Sequence, residues 1–278
     1  MKFSFLQCLI CSVLLAAWDT RHALGQPVEG VRAKKFVLQP VLEYYLIAAD
    51  GKLQIPQRGY KLLIVMPGGD GSADFLPFVQ NFYNNVLNEE YLLIQLIAPK
   101  WNEQQVIVWP TLRNKVAGQK ASVEQFVKAA VEDVRKRARI DDRHVYTLSW
   151  SSGGPAAYAA SLTKDTPVTG SFVAMSVFKP NELPGLKRLA KQQRYYILHS
   201  PDDEVCPYRM AASARDILRE AGAKVEFVEY EGGHGWHGDV FGNIQKGITG
   251  WSRKRLRSAL LERRRPSIAV ARMAEKPQ

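Results

Sequence analysis

Several short, continuous apolar runs, separated by segments with helical spacing, constrain the fold of this chain more than any other feature. Leu62-Leu-Ile-Val-Met66 and Tyr91 to Ala98 read as strands covered on both faces, because a half-exposed strand would alternate apolar and polar residues. Phe75 to Leu87 places Phe75, Phe78, Val79, Phe82 and Val86 on one side of a helix, and Pro77 is tolerable only because it falls in the first turn. Ser122 to Arg137 is the clearest amphipathic helix, with Ser122 and Gln125 spaced as a capping box. Further strands are expected over Asp141 to Ser149 (after a turn at its start), Gly170 to Ser176, Tyr195 to His199 and Val225 to Tyr230. Helices are expected over Gly154 to Leu162, Met210 to Ala221 and Val240 to about Leu261. Phe36 to Ala48, with a short piece near Leu53, reads as an opening antiparallel hairpin that turns at Asp50-Gly51. Such alternation predicts an α/β fold with a mainly parallel sheet covered by helices on both faces.

The N-terminus is set apart from this pattern. Lys2, the apolar run Phe3 to Trp18 and the small residues of Ala23-Leu24-Gly25 predict a signal peptide over residues 1–25 and a mature start at Gln26. The run is shorter than the roughly 20 apolar residues of a spanning helix, so no stable membrane insertion is expected once it is removed. The protein is therefore expected to be exported, to a periplasm or the extracellular space. Cys8 and Cys11 leave with the signal segment, so Cys206 remains alone and the domain must hold together without an internal disulfide.

Residues 26–262 are read as one domain and residues 263–278 as a basic tail. The net charge is +11, and from Trp251 onward nine Lys/Arg stand against Glu262 and Glu275, a net of +7. A strongly basic end can touch anionic surfaces, but no RNA-binding aromatic motif or zinc-finger spacing accompanies it, and no nucleic-acid partner is expected.

Four segments at strand ends carry residues suited to chemistry. Ser149-Trp150-Ser151-Ser152-Gly153 joins a strand to a helix. A serine presented on a tight strand-to-helix turn needs small residues two before and two after it. Of the three serines only Ser151 meets both spacings, which makes it the candidate nucleophile, and the Ser152 N–H is a candidate oxyanion donor at the helix N-terminus. Upstream, Pro67-Gly-Gly-Asp-Gly-Ser72 follows a strand and offers a second donor, from Gly69 or Asp70. It lacks the Lys-Ser/Thr ending of a nucleotide loop. Pro201-Asp-Asp-Glu-Val-Cys-Pro207 holds three competing acids, Asp202, Asp203 and Glu204, with Asp203 preferred because Val205 and Pro207 follow it. Gly232-Gly-His-Gly-Trp-His-Gly238 sets His234 between glycines, free of packing side chains, with His237 as its rival. The two histidines lack a third ligand of suitable spacing, so no metal is expected. Trp109 and Trp150 are candidates for stacking on a substrate, although packing is the commoner fate of tryptophan.

Serine, acid and histidine occur in the chain order of the α/β-hydrolases. From about Phe36 to about Trp251 the sequence resembles that superfamily. The Pro67-Gly-Gly-Asp-Gly turn, Ile140-Asp-Asp-Arg-His-Val-Tyr146, the Ser-Trp-Ser-Ser-Gly-Gly elbow and Gly-Gly-His-Gly-Trp look like its exported esterases. The polyhydroxybutyrate depolymerase, feruloyl esterase and phospholipase/carboxylesterase groups are closest in pattern. Ser149 stands where the pattern usually has glycine, and Pro67 where a histidine often precedes the oxyanion glycine. The resemblance implies a twisted eight-stranded sheet and cofactor-free ester hydrolysis through an acyl-enzyme by Ser151, Asp203 and His234. The stretch between Ser176 and Tyr195 is too short to house a large lid domain, which suggests an open cleft suited to a bulky or polymeric ester. A prolyl peptidase-like activity and a catalytically silent binding module are the alternatives.

Overall fold

Tyr60–Met66, in which every residue but Lys61 is buried, forms the central strand of the sheet. The computed structural model describes residues 31–39, 41–50 and 55–250. Its strands are β1 (Val31–Gln39), β2 (Leu42–Ala49), β3 (Tyr60–Met66), β4 (Tyr91–Ile97), β5 (Ile140–Trp150), β6 (Gly170–Ala174), β7 (Arg194–His199) and β8 (Lys224–Glu229). They form one sheet in the order β1-β2-β4-β3-β5-β6-β7-β8. Only the β1–β2 and β2–β4 pairings are antiparallel, and from β4 across to β8 the strands run parallel. This is the mostly parallel eight-stranded α/β architecture expected from the sequence.

The two faces of β3 explain why the sheet needs cover on both sides. Leu62, Ile64 and Met66 enter one core, with Phe126, Ala130 and Val134 of α2 (Val123–Arg137) and Ala156 and Ala160 of α3 (Gly154–Ser161). Leu63 and Val65 enter the other, with Val79 and Phe82 of α1 (Leu76–Val86) and Ile244 and Ile248 of the helix that begins at residue 240. Successive strand residues thus feed opposite cores, as the period of two requires. The short α4 (Leu186–Leu189) follows β6, and α5 (Tyr208–Glu220) links β7 to β8. The expected capping box is present: Gln125 N donates to Ser122 Oγ at 3.4 Å, and Ser122 N donates to Gln125 Oε1 at 2.8 Å.

Two boundaries differ from the sequence reading. The opening hairpin pairs β1 with β2, with Phe36 facing Tyr44, so the run from Phe36 to Ala48 holds parts of two strands. The sequence reason is Pro40, which has no N–H to give a ladder and so divides the apolar run. Gly51 and Leu53 lie outside the described residues, as do the signal segment 1–25, the basic tail 263–278 and the final helix beyond residue 250. The second difference concerns Asp141-Asp142, read as a turn but forming part of the 11-residue β5. Between β6 and β7 the chain makes only α4 and two short 3-10 turns, so no lid domain is inserted there.

Charge pairing accounts for the strand at Asp141. Its carboxylate, 8% exposed as a residue, accepts from Arg143 Nε at 2.8 Å and Nη2 at 2.6 Å, and lies 2.9 Å from His144 Nδ1. Burial alone would raise this carboxyl, but the bonds from Arg143 and His144 outweigh it and hold it well below the usual carboxylate range. A depressed carboxyl stabilises the fold above its unfolded value, near pH 4, and that contribution is lost as the pH falls toward the folded value. Asp141→Asn is therefore expected to lower unfolding free energy by about 2 kcal/mol at neutral pH. In urea titrations the gap from wild type should narrow below about pH 4. A gap that stays constant from neutral pH to about pH 3 would contradict this account.

Candidate active site

At the C-terminal end of β5 the backbone reverses sharply. Ser151 has φ +49°, a left-handed conformation that costs a residue with a side chain. The turn continues as a 3-10 segment, Ser151–Gly153, into α3. Packing around it leaves little choice of residue. A Cβ on Gly153 would lie 2.2 Å from the Met66 carbonyl oxygen at the end of β3. Ser149 is fully buried and donates its hydroxyl to Phe172 O at 3.4 Å, while Ser176 Oγ donates to Ser151 O at 2.6 Å. Ser149 therefore fits where glycine is more usual, because its hydroxyl has an acceptor. The first N–H groups of a helix have no acceptor within it, and that of Ser152 is among them.

Two further loops bring side chains to this turn. His234 follows β8, and its Nε2 lies 3.1 Å from Ser151 Oγ. Its Nδ1 lies 2.9 Å from Asp203 Oδ2 and 3.1 Å from Oδ1. An ionised carboxylate can only accept, so Nδ1 carries the ring proton and Nε2 accepts from the serine hydroxyl. The Asp203 side chain is wholly buried, whereas His234 retains 23% exposure. Asp203 Oδ1 also accepts from the N–H groups of Val205 at 2.9 Å and Cys206 at 2.7 Å. Gly233 N donates to Ser200 Oγ at 3.1 Å and Tyr230 OH donates to Gly233 O at 2.9 Å, which fixes the base of the histidine loop.

Behind the acid stands a second histidine. His199 Nε2 lies 2.7 Å from Cys206 O and 3.5 Å from Asp203 Oδ2, so it carries the proton that this carbonyl accepts. Burial pulls the His199 imidazole below its ordinary value, outweighing the opposite effects of the Cys206 carbonyl and the Asp203 carboxylate. Burial likewise pushes the Cys206 thiol up to about 12, with the Asp203 charge adding to the shift.

The turn after β3 completes the neighbourhood. Gly69 has φ +58°, and its carbonyl accepts from Ser152 Oγ at 2.8 Å. Gly71 N donates to Gly68 O at 2.9 Å, and Asp70 Oδ1 accepts from Ser72 N at 3.0 Å. Trp109, 3% exposed, donates its indole N–H to Pro67 O at 3.0 Å. A serine hydroxyl facing an imidazole that faces a buried carboxylate can pass its proton to the ring as it attacks a carbonyl.

Residues 94–252, more than half of the chain, match the profile of the phospholipase/carboxylesterase family. The chain belongs to the phospholipase/carboxylesterase family. It is thus an α/β-hydrolase and an enzyme of the serine hydrolase, carboxylesterase type. The matched span contains Ser151, Asp203 and His234, and the glycine turn at Pro67–Ser72 precedes it.

Solved structures share the fold of this carboxylesterase-family enzyme at low identity. A sugar hydrolase from Lactococcus lactis is 15% identical with a TM-score of 0.55, over 83% of this chain and 99% of its own. A Bacillus cereus carboxylesterase is 15% identical with a TM-score of 0.55, over 77% and 95%. Esterase 2 of Thermogutta terrifontis, solved phosphorylated by paraoxon, is 14% identical with a TM-score of 0.58, over 84% and 95%.

Placed in the fold of this family member, the candidates from the sequence divide as follows. Ser151, Asp203 and His234 meet, while Asp202 and Glu204 are exposed. His237 stacks on Tyr230 with ring centroids 6.2 Å apart. His234 and His237 were the only metal-ligand pair suggested by spacing, but the structure groups His234 with Asp203 and Cys206. Trp150, 5% exposed, and Trp109 are largely enclosed and offer little surface to a ligand. The Trp150 ring meets Phe75, Phe78 and Trp236 edge-on at 5.5, 5.7 and 5.7 Å. Trp236, two residues after His234, was missed as a structural element: its ring braces the histidine loop against the residue preceding Ser151. Its place in Gly-Gly-His-Gly-Trp was the available signal. Ser176 and Ser200 had no sequence signal, since each acts through hydrogen bonds to the backbone: Ser176 Oγ to Ser151 O, and Ser200 Oγ from the N–H groups of Asp202 and Gly233.

Proposed function

We propose that the protein hydrolyses carboxylic esters through an acyl-enzyme formed on Ser151. The observation that carries this reading is the 3.1 Å approach of Ser151 Oγ to His234 Nε2, with Asp203 2.9 Å from the other ring nitrogen. Ser151 Oγ attacks the ester carbonyl as His234 takes its proton, and Asp203 stabilises the imidazolium. His234 then gives the proton to the leaving alcohol. In the second half, water loses a proton to His234, attacks the acyl carbon and releases the acid with Ser151 restored.

The oxyanion is held by the N–H groups of Ser152 and Gly69, each contributing about 3 kcal/mol to the transition state. Gly69 is preferred over Asp70 by peptide geometry. The Gly69 carbonyl turns toward Ser152, and in a trans peptide the Asp70 N–H points the opposite way. The partly exposed His234 and the absence of an inserted lid between β6 and β7, among the described residues, favour a bulky or polymeric ester.

A fluorophosphonate probe tests the reading directly. Wild-type protein should gain one adduct, mapped by mass spectrometry to the peptide containing Ser151, and Ser151→Ala should gain none. Labelling of both proteins alike, or of neither, would overturn the assignment. A panel of p-nitrophenyl acyl, feruloyl and prolyl-peptide substrates then separates esterase from peptidase, with the esters expected to be turned over.

Export is part of the same proposal. The Lys2 start, the apolar Phe3–Trp18 run and Ala23-Leu24-Gly25 support it. N-terminal sequencing of protein recovered outside the cytoplasm should begin at Gln26, and an intact Met1 start there would contradict cleavage.

A further inference from the structure

Cys206 has no part in the ester chemistry, yet it sits against the two groups that drive it. Its N–H donates to Asp203 Oδ1 at 2.7 Å and its carbonyl meets His199 Nε2 at 2.7 Å, so both backbone groups are pinned. The side chain is 6% exposed and is a free thiol. One atom from each of Asp203, Cys206 and His234 (a carboxylate oxygen, the sulfur and a ring nitrogen) lies within 4.8 Å of the other two. We propose that these three side chains form a binding site for one thiophilic divalent cation, such as Zn2+ or Cd2+, and that filling it switches the enzyme off.

The donor set favours this class of ion. Sulfur, imidazole nitrogen and a carboxylate oxygen are the ligands of zinc and its softer congeners, whereas Mg2+ and Ca2+ take oxygen. Zinc bonds of about 2.0–2.3 Å require the ligand atoms to draw closer together than 4.8 Å, and a fourth position is left for water. His234 is the partly exposed member of the set, with the other two buried.

The charges balance. The cation displaces one proton from the Cys206 sulfur to solvent, and two positive charges then meet one thiolate and one carboxylate. A neutral cluster can be buried where a lone ion could not.

Occupation blocks catalysis through the histidine tautomer, so this inference rests on the proposed roles of Ser151 and His234. A cation taken by Nδ1 replaces the hydrogen bond to Asp203 and leaves the ring proton on Nε2. That nitrogen then donates, and it can no longer accept the Ser151 proton. The thiol, held in its neutral form by burial, stays inert until a cation replaces its proton.

The experiment compares wild type with Cys206→Ser and Cys206→Ala, using Zn2+ against p-nitrophenyl ester hydrolysis and Cd2+ as a spectroscopic probe. All three proteins should hydrolyse ester at similar rates in chelator. Zn2+ should inhibit wild type reversibly, with recovery on adding EDTA, while Mg2+ at the same concentration should not. The half-inhibiting Zn2+ concentration should rise by about tenfold or more in both variants, the scale on which weakened metal sites lose affinity. Cd2+ should give a thiolate charge-transfer absorption in wild type in excess of that in the variants. Equal inhibition of all three proteins, or equal Cd2+ absorption, would overturn the site. The absorption needs no turnover. A protein that binds Cd2+ through Cys206 but hydrolyses no ester would sink the proposed function and leave the metal site standing.

Discussion

Replacing Ser151 with alanine is expected to lower ester hydrolysis by about 10^4- to 10^6-fold while leaving the unfolding midpoint near that of wild type. The oxygen removed is the one 3.1 Å from His234 Nε2, and no neighbouring hydroxyl is placed to replace it. Ser149 is fully buried with its hydroxyl toward Phe172 O, and Ser152 Oγ is engaged by Gly69 O. The loss should appear in kcat, because the hydroxyl acts in the bond-forming step and contributes little to holding the ester. Its removal also relieves no strain, since alanine at φ +49° is as crowded as serine. A variant that keeps more than about a hundredth of the wild-type kcat would place the nucleophile elsewhere.

The second large effect concerns space. Gly153→Ala is expected to destabilise the fold by more than about 4 kcal/mol, or to displace the elbow and abolish hydrolysis in whatever protein remains folded. The reason is not conformational freedom, because Gly153 has φ −77° and ψ −20°, which any residue adopts. It is the close approach to β3. The added carbon would stand 2.2 Å from Met66 O, 3.0 Å from Pro67 O and 3.1 Å from Met66 C. All three are backbone atoms at the end of a central strand, so no side chain can swing aside. Urea titration and ester turnover measured together test this. A variant with wild-type stability and rate would show that the elbow and β3 are separable.

Much of this architecture was legible in the sequence because buried parallel strands cannot disguise themselves. Leu62 to Met66 feeds two cores at once and therefore carries no polar residue. The elbow was legible for a related reason, since close backbone approach admits only small side chains and Gly153 marks the spot. The choice of acid was harder. Asp202, Asp203 and Glu204 are equivalent in composition, and only the fold buries the middle one beneath His234. The same holds for Asp141, whose charges suggest a turn until Arg143 and His144 are seen to satisfy them. Trp150 illustrates the opposite error. Its position beside Ser151 suggested contact with substrate, but Phe75, Phe78 and Trp236 enclose it. Cys206 stood in the sequence only as a lone cysteine, and its place beside Asp203 comes from the loop after β7.

His234 hangs from β8, the last strand of the sheet and its edge, 83 residues from Ser151. Its position therefore depends on the pairing of β8 with β7 and on the seat of Trp236 against Trp150. The proposed base is thus carried by the outermost strand described, whereas the serine stands on β5 in the middle of the sheet. In the proposed mechanism, loosening that edge would disarm the site while the central strands stay in place.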